Sequence, residues 1–142
     1  CALGTTLKLA GSKAAFAAID QDLVLSLARL AQAGGAQRFA LNSSLGASAN
    51  GSFYLRIKAA VEKALIGMGF ARTVIVRPSL IDSDRQGQRP MEHVGVVVMR
   101  FARPLIPARY RAVTPEAIAR GLITGIKNTA PGVVFVESEA LT

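Results

Sequence analysis

The sequence predicts an α/β protein with a doubly wound parallel sheet, because short apolar segments alternate with helical segments of about 10 to 15 residues. Residues 74–76 and 133–136 are continuously apolar, as expected of central strands that are covered on both faces. The chain has 142 residues, of which 51% are hydrophobic, so it can build a single core. No repeat or low-complexity linker is visible, and we therefore expect one domain.

The predicted elements follow one another in a regular order. They are a strand end at 1–6, a helix at 14–33, a strand at 38–44, a helix at 53–68, a strand at 71–77, a loop at 82–90, a helix at 91–101, a helix from 114 to 127 and a strand at 132–137. The first helix is amphipathic, with Leu23 and Leu27 on one side. Thr114, Pro115 and Glu116 begin the last helix, because a capping hydroxyl, a proline in the first turn and an acidic side chain all favour a helix start.

Tyr54 and Lys58 are the most informative residues, because a spacing of four places both side chains on the same face of a helix. A free phenol and a free ammonium are each poor proton-transfer groups at neutral pH. An ammonium close to a phenol favours the ionised phenol, so that Tyr54 can exchange a proton with a substrate oxygen. Val61, Leu65 and Met68 continue the same face, which places the lysine at the head of a stripe that faces the core.

Two hydroxyl residues, Ser43 and Ser44, end the preceding strand, and either can hold a substrate oxygen in place. We choose Ser44 because it is the last residue of the strand, with Ser43 as the second choice. The simpler interpretation is also open: Tyr54 only covers the core, the Lys58 stem is buried while its ammonium reaches water, and the serines merely end a strand.

Three separate elements converge on one crevice. Gly4, Ser44 and Pro78 each follow a predicted strand, and ligands of parallel sheets bind at the carboxyl ends of the strands. Gly4 would let the backbone approach a ligand closely because it has no side chain. The simpler interpretation of Pro78 is that it only ends its strand.

Several sequence blocks resemble those of the short-chain dehydrogenases/reductases, and the flanking sequence is similar to the atypical branch related to a Tat-interacting oxidoreductase. These blocks are CALGTT from residue 1, DQDLVL from residue 20, SSLGA from residue 43, YLRIK from residue 54 and RPSLIDSDRQGQRP from residue 77. They cover nearly the whole chain, in order and at spacings similar to those of the family.

The resemblance implies an NAD(P)-binding Rossmann-like fold and hydride transfer between a nicotinamide and a small-molecule carbonyl or alcohol. By resemblance, Ser44 orients the substrate oxygen, Tyr54 is the acid/base, and Lys58 tunes the tyrosine and holds the nicotinamide ribose. The implied cofactor is NADP(H), with NAD(H) as the alternative. The implied cofactor-binding residues are Leu3, Gly4, Tyr54, Lys58, Pro78, Leu80, Ile81 and Arg89. For Arg89, a solvent-exposed loop charge is the simpler interpretation.

The chain departs from the family pattern in two ways. No G-x-x-G-x-x-G turn, which would hold the cofactor pyrophosphate, is present. We therefore expect residues 1–142 to be the C-terminal portion of a single Rossmann-like domain whose N-terminal βαβ half is missing. Asp20 also stands where many extended members have an asparagine that maintains a proton-relay water. This change leaves a second function open, an NADP(H)-binding regulatory or sensor protein with little or no turnover.

The composition of the chain indicates which classes of partner are not expected. The formal net charge is +8, but the basic residues are dispersed and no nucleic-acid-binding motif is visible, so we expect no nucleic-acid partner. No apolar stretch reaches the ~18 residues of a membrane span, so we expect no membrane partner. The single histidine, His93, has no second ligand at metal spacing, so we expect no metal site. One cysteine is compatible with the reducing cytosol, and we expect a cytoplasmic protein; a homodimer is open.

Overall fold

A computed structural model describes residues 1–81 and 107–142, and their elements follow the predicted α/β order. The helices are α1 (Leu7–Ala10), α2 (Lys13–Ala17), α3 (Val24–Ala33), α4 (Phe53–Gly67) and α5 (Pro115–Lys127). The strands are β1 (Arg38–Asn42), β2 (Arg72–Arg77) and β3 (Gly132–Glu137). A π-helical segment, Ala18–Leu23, joins α2 to α3, and short 3-10 segments lie at Ala108–Tyr110 and Ser138–Leu141.

The three strands form a parallel sheet in the order β1-β2-β3, which confirms the predicted fold class. Arg38 is opposite Arg72 at the first pair of strands, and Arg77 is opposite Glu137 at the second. The carboxyl ends of all three strands therefore lie at one edge of the sheet. The first residue also contacts the sheet: the Cys1 amino group donates to the Ala40 carbonyl at 2.6 Å, and the Cys1 carbonyl accepts from the Asn42 N–H at 2.9 Å.

Helices cover both faces of the sheet. On one face, Ala117 and Ile118 of α5 pack against Val74 and Val76 of β2. On the other face, α3 and α4 pack against β1, and the buried residues there are Val24, Leu25, Ala28, Phe39, Leu41, Val61, Leu65 and Phe70. Residues 74–76 of β2 are buried, as predicted for a strand that is covered on both faces. The same prediction for 133–136 is wrong in the described residues, because β3 lies at the end of the sheet and Val133 and Phe135 are exposed.

The helical segment predicted at 14–33 is interrupted by the π-helical segment, and its leucine-rich side is the exposed one. Leu23 and Leu27 are exposed, whereas Phe16, Asp20 and Val24 are almost fully buried. Because these three residues are spaced by four, they lie on one side of the helix. The buried side of the helix therefore carries the Asp20 carboxylate. Single π-helical turns are frequent at functional sites, and this turn contains Asp20.

The predicted boundaries differ from the observed ones mainly at β1 and at the start of the chain. Strand β1 ends at Asn42 rather than Ser44, although the Ser43 N–H still donates to the Val76 carbonyl of β2 at 2.7 Å. No strand is assigned at residues 1–6, where only Cys1 pairs with β1. The loop predicted at 82–90, the helix predicted at 91–101, Arg89 and His93 lie outside the described residues.

Candidate active site

The candidate site lies at the carboxyl ends of β1 and β2. Ser44 follows β1 by two residues, and Pro78 directly follows β2. The Leu45 N–H donates to the Pro78 carbonyl at 2.8 Å, so the segments that leave the two strands run side by side. Ser44 and Pro78, which were predicted to meet at one crevice, therefore lie on adjacent connected segments.

Helix α4 carries the tyrosine and the lysine. Ser52 caps its first turn by accepting a hydrogen bond from the Leu55 N–H, so the helix begins at Phe53, one residue before Tyr54. The Tyr54 ring is half-buried and packs on the Phe16 ring with 5.8 Å between centroids. The Lys58 Nζ lies 5.5 Å from the centroid of the Tyr54 ring. The ammonium and the aromatic ring are thus close neighbours on one face of the helix.

Asp20 holds the Lys58 ammonium in a buried ion pair. Lys58 Nζ lies 2.7 Å from Asp20 Oδ1, and the side chains are 9% and 1% exposed. The second carboxylate oxygen, Oδ2, accepts the Thr5 N–H at 2.7 Å. The ammonium is therefore turned towards a carboxylate inside the protein, and the simpler interpretation, in which the Lys58 ammonium reaches water, is wrong.

Gly4 lies against this ion pair. A Cβ atom on Gly4 would be 3.2 Å from Asp20 Oδ1 and 3.8 Å from Lys58 Nζ. The first contact is tighter than ordinary packing allows, so a larger residue would displace the carboxylate or the backbone. Gly4 does permit a close backbone approach, and the described contact is with the Asp20 and Lys58 side chains.

The two serines have different environments. The Ser43 hydroxyl is buried and donates to Glu62 Oε1 at 2.5 Å. Ser44 is half-buried, and its hydroxyl makes only a 3.5 Å contact with the Leu45 carbonyl. Because the Ser43 hydroxyl is already committed to a carboxylate, Ser44 is the better placed of the two to bond a ligand. Its role remains a prediction.

A second buried carboxylate, Glu62, was not recognised from the sequence. Glu62 accepts from Arg77 Nε at 3.1 Å and from Arg77 Nη2 at 2.6 Å, in addition to the Ser43 hydroxyl. The hydrogen bond to Glu62 is the main cause of a raised pKa of the Arg77 guanidinium. The signal was present in the spacing, since Glu62 follows Lys58 by four residues on the face that was predicted to be apolar.

The remaining predicted cofactor residues are placed as follows. Leu3, Leu80 and Ile81 expose apolar side chains, whereas Pro78 is buried. Ile81 pairs with Val113 in an isolated parallel bridge, which anchors the segment that follows β2. Arg89 lies outside the described residues, so its role in binding the cofactor stays a prediction.

Neither a metal centre nor a membrane-spanning helix is seen in the described parts of the chain. Within 1–81 and 107–142, no three His, Cys, Asp or Glu side chains are grouped so that they could hold a metal ion. In the same residues, no helix is both long and apolar enough to cross a bilayer.

Curated relatives share much of this sequence. Protein FMP52, mitochondrial, of Meyerozyma guilliermondii is 34% identical over 143 residues, which cover 95% of this chain and 61% of that protein. Protein FMP52-1, mitochondrial, of Scheffersomyces stipitis is 33% identical over 149 residues, covering 99% and 66%. Protein HTATIP2 of Rattus norvegicus is 44% identical over 93 residues, covering 65% and 38%. The chain therefore spans less than two thirds of the length of these relatives.

The relatives bear on two expectations, the location in the cell and the family relationship. The prediction of a cytoplasmic protein is wrong, because the FMP52 relatives carry the word mitochondrial in their names. No family model matches the chain. The similarity to the FMP52 and HTATIP2 proteins, together with a parallel sheet covered by helices, supports a relationship to the short-chain dehydrogenases/reductases.

Proposed function

We propose that the protein is an NAD(P)(H)-dependent oxidoreductase of the atypical short-chain dehydrogenase/reductase type. It reduces a small carbonyl compound to an alcohol, or catalyses the reverse reaction, with NADP(H) as the cofactor. No part of the proposed reaction requires a metal or a nucleic acid. Following the names of its relatives, we place this activity in mitochondria.

The observation that carries the proposal is the pairing of Tyr54 with Lys58 on the inner face of α4. The ammonium lies 5.5 Å from the centre of the tyrosine ring and is held inside the protein by Asp20. Burial reduces the solvent screening of the lysine charge, so its influence on a nearby phenol is stronger than it would be at the surface. A simple surface lysine would not provide this environment.

The residues that surround the site fit a dinucleotide. Leu80 and Ile81 follow β2 and expose apolar side chains, as Leu3 does, and exposed apolar side chains suit the packing of a flat aromatic ring. Because Gly4 has no side chain, its backbone lies close to the Asp20 and Lys58 side chains, beside the ammonium to which we assign the ribose. We assign these residues, with Pro78, to the cofactor surface. When bound, NADPH supplies the hydride that is added to the carbonyl carbon.

The chain's own residues supply the proton. Tyr54 transfers its phenolic proton to the carbonyl oxygen, and the O–H bond that breaks leaves a phenolate. Lys58 stabilises that phenolate by its positive charge. Ser44 donates a hydrogen bond to the same substrate oxygen, which fixes the distance over which the proton moves. Atoms and charge balance, since the carbonyl gains one hydride and one proton to become an alcohol.

The test is a comparison of the chain's two tyrosines in the full-length protein. Tyr54→Phe removes the proposed acid while keeping the ring on Phe16, and we expect the rate of NADPH oxidation to fall by about 100-fold or more. Tyr110→Phe is the matched control, because Tyr110 is exposed on a 3-10 segment, and we expect it to keep the wild-type rate. Rates are measured over a panel of aldehydes, ketones and quinones, with NADPH affinity measured in parallel.

Two results would decide against the enzyme. If Tyr54→Phe and the wild-type protein oxidise NADPH equally fast, Tyr54 is not the acid. If neither turns over any carbonyl while both bind NADPH tightly, the second function is favoured, a cofactor-binding regulatory protein with little turnover. The contact that favours this second function is the 2.7 Å ion pair between Asp20 and Lys58, because it opposes the lysine charge that the tyrosine would otherwise use.

A further inference from the structure

Glu62 is a buried carboxylate that the proposed reaction does not use. Its residue exposure is only 4%, and removing an isolated carboxylate from water is costly unless it is fully hydrogen-bonded. Three bonds satisfy it, from the Ser43 hydroxyl and from two nitrogens of Arg77. The two bonds from one guanidinium form the bidentate pairing that fixes geometry as well as contributing energy.

Glu62 connects α4 to all three strands, to the end of β1 through Ser43 and to β2 and β3 through Arg77. Ser43 directly follows β1, and Arg77 is the last residue of β2. The Arg77 Nη1 also donates to Glu137 Oε1 at 3.0 Å, and the guanidinium lies 4.4 Å from the centre of the Phe135 ring, both on β3. The helix is therefore fixed to the edge of the sheet where the site lies.

The position of Glu62 on α4 relates these hydrogen bonds to the proposed catalytic residues. Tyr54, Lys58 and Glu62 follow one another at intervals of four, so they lie along one face of the helix. The residue that Glu62 bonds, Ser43, is adjacent in sequence to Ser44. One carboxylate thus joins the helical face with the proposed acid to the strand end with the proposed substrate-binding hydroxyl.

Apolar packing alone would hold this helix less specifically. The hydrophobic effect is non-directional, so the contacts of Val61 and Leu65 with the core allow small shifts along the sheet. Hydrogen bonds to a charged group are directional and short. The Glu62 bonds therefore limit how far α4 can rotate or slide relative to Ser44.

We infer that Glu62 is a positioning residue for the reaction, which sets the distance between Tyr54 on α4 and Ser44 beyond β1 by bonding Ser43 and Arg77. This inference rests on the proposed function. It assigns to Glu62 no contact with the substrate or the cofactor.

The test replaces each carboxylate partner of Arg77 in turn in the full-length protein. Glu62→Gln keeps the side-chain size and removes the charge that pairs with Arg77. We expect kcat for carbonyl reduction to fall about 10- to 100-fold, since a displacement of about 1 Å has a cost of this order. The KM for NADPH should stay within about twofold, because transition-state alignment rather than binding is lost.

Glu137→Gln is the matched control. Its carboxylate is 34% exposed and bonds the same guanidinium, yet none of the described hydrogen bonds joins it to Ser43 or α4. We expect kcat to stay within about twofold of the wild-type value, because a partly exposed ion pair contributes little free energy. If Glu62→Gln fails to fold, Arg77→Lys carries the test, since lysine keeps the charge but cannot form the two parallel bonds.

A double variant separates positioning from stability. In the Tyr54→Phe background, Glu62→Gln should lower the residual rate by less than about twofold, because residues that act as a unit are strongly non-additive. If Tyr54→Phe keeps the wild-type rate, the proposed function fails and the role of Glu62 fails with it. If Tyr54→Phe loses activity while Glu62→Gln has no effect, or has its full effect in both backgrounds, only the role of Glu62 is overturned.

Discussion

The two faces of the sheet hold their helices by different means. Helix α5 packs on β2 mainly through apolar residues such as Val74, Val76 and Ile118. Helix α4 packs on the other face through Val61 and Leu65 as well, but it adds two charged residues, each with a buried or half-buried partner. These are the pairs Lys58 with Asp20 and Glu62 with Arg77.

This difference indicates that the charges on α4 are not required to attach a helix to the sheet. Burying an ion pair often stabilises a protein no more than apolar residues of the same size would, and α5 shows what apolar packing achieves in the same molecule. On the α5 side, the buried Arg72 donates to the Gly125 and Ala130 carbonyls near the end of α5, and none of the described hydrogen bonds joins it to a carboxylate. This contrast supports the proposal that the charges on the α4 face belong to the candidate site.

The largest expected change in stability is from Asp20→Ala. This variant leaves the Lys58 ammonium buried without its carboxylate, and we expect the free energy of unfolding to fall by about 3 to 5 kcal/mol. Equilibrium denaturation with urea measures it. A loss below about 1 kcal/mol, the range of exposed ion pairs, would show that water screens the pair and would remove the contrast between the two faces.

The control for this prediction is the double variant Asp20→Ala with Lys58→Met. Methionine fills much of the lysine stem's volume without a charge, so the double variant should be more stable than Asp20→Ala alone. If the double variant is less stable than the single one, the cost of Asp20→Ala comes from lost packing or from the lost Thr5 bond rather than from an unpaired charge.

An intermediate effect is expected on the apolar face. Val74 is fully buried under α5, and Val74→Ala should lower the free energy of unfolding by about 2 kcal/mol through lost burial and a small cavity. Thermal and chemical denaturation check the loss. Activity per folded molecule should be unchanged, and a matching loss of kcat would contradict the division of roles between the faces.

The smallest effect is expected at Gly125, where α5 lies close to Val74 of β2. A Cβ atom there would lie 2.7 Å from Val74 Cγ1, so Gly125→Ala should cost about 1 kcal/mol after the gain in helix propensity is subtracted. Combined with Val74→Ala, which removes the clashing methyl groups, the cost should largely disappear. Additive losses in the double variant, measured by denaturation, would show that the close approach is not the cause.

Local sequence patterns were sufficient to predict much of the fold. The start of α5 at Thr114 and Pro115 and the end of β3 at Glu137 are where the sequence predicted them, because caps and apolar runs act over a few residues. The common face of Tyr54 and Lys58 was also predictable, since helical spacing alone sets it. The leucines of the first helix were misleading, because apolar character does not say which side of a helix the rest of the chain will cover.

The sequence by itself determined the α/β class, the order of most elements and the resemblance that nominates Ser44, Tyr54 and Lys58. Only the tertiary structure decided which groups meet: Asp20 with Lys58 at a separation of 38 residues, and Arg77 with Glu137 at 60. The first pair is set by how the helices dock against one another and on the sheet, and the second by the pairing of β2 with β3. Spacing rules describe neighbours within one element and carry no information about that docking.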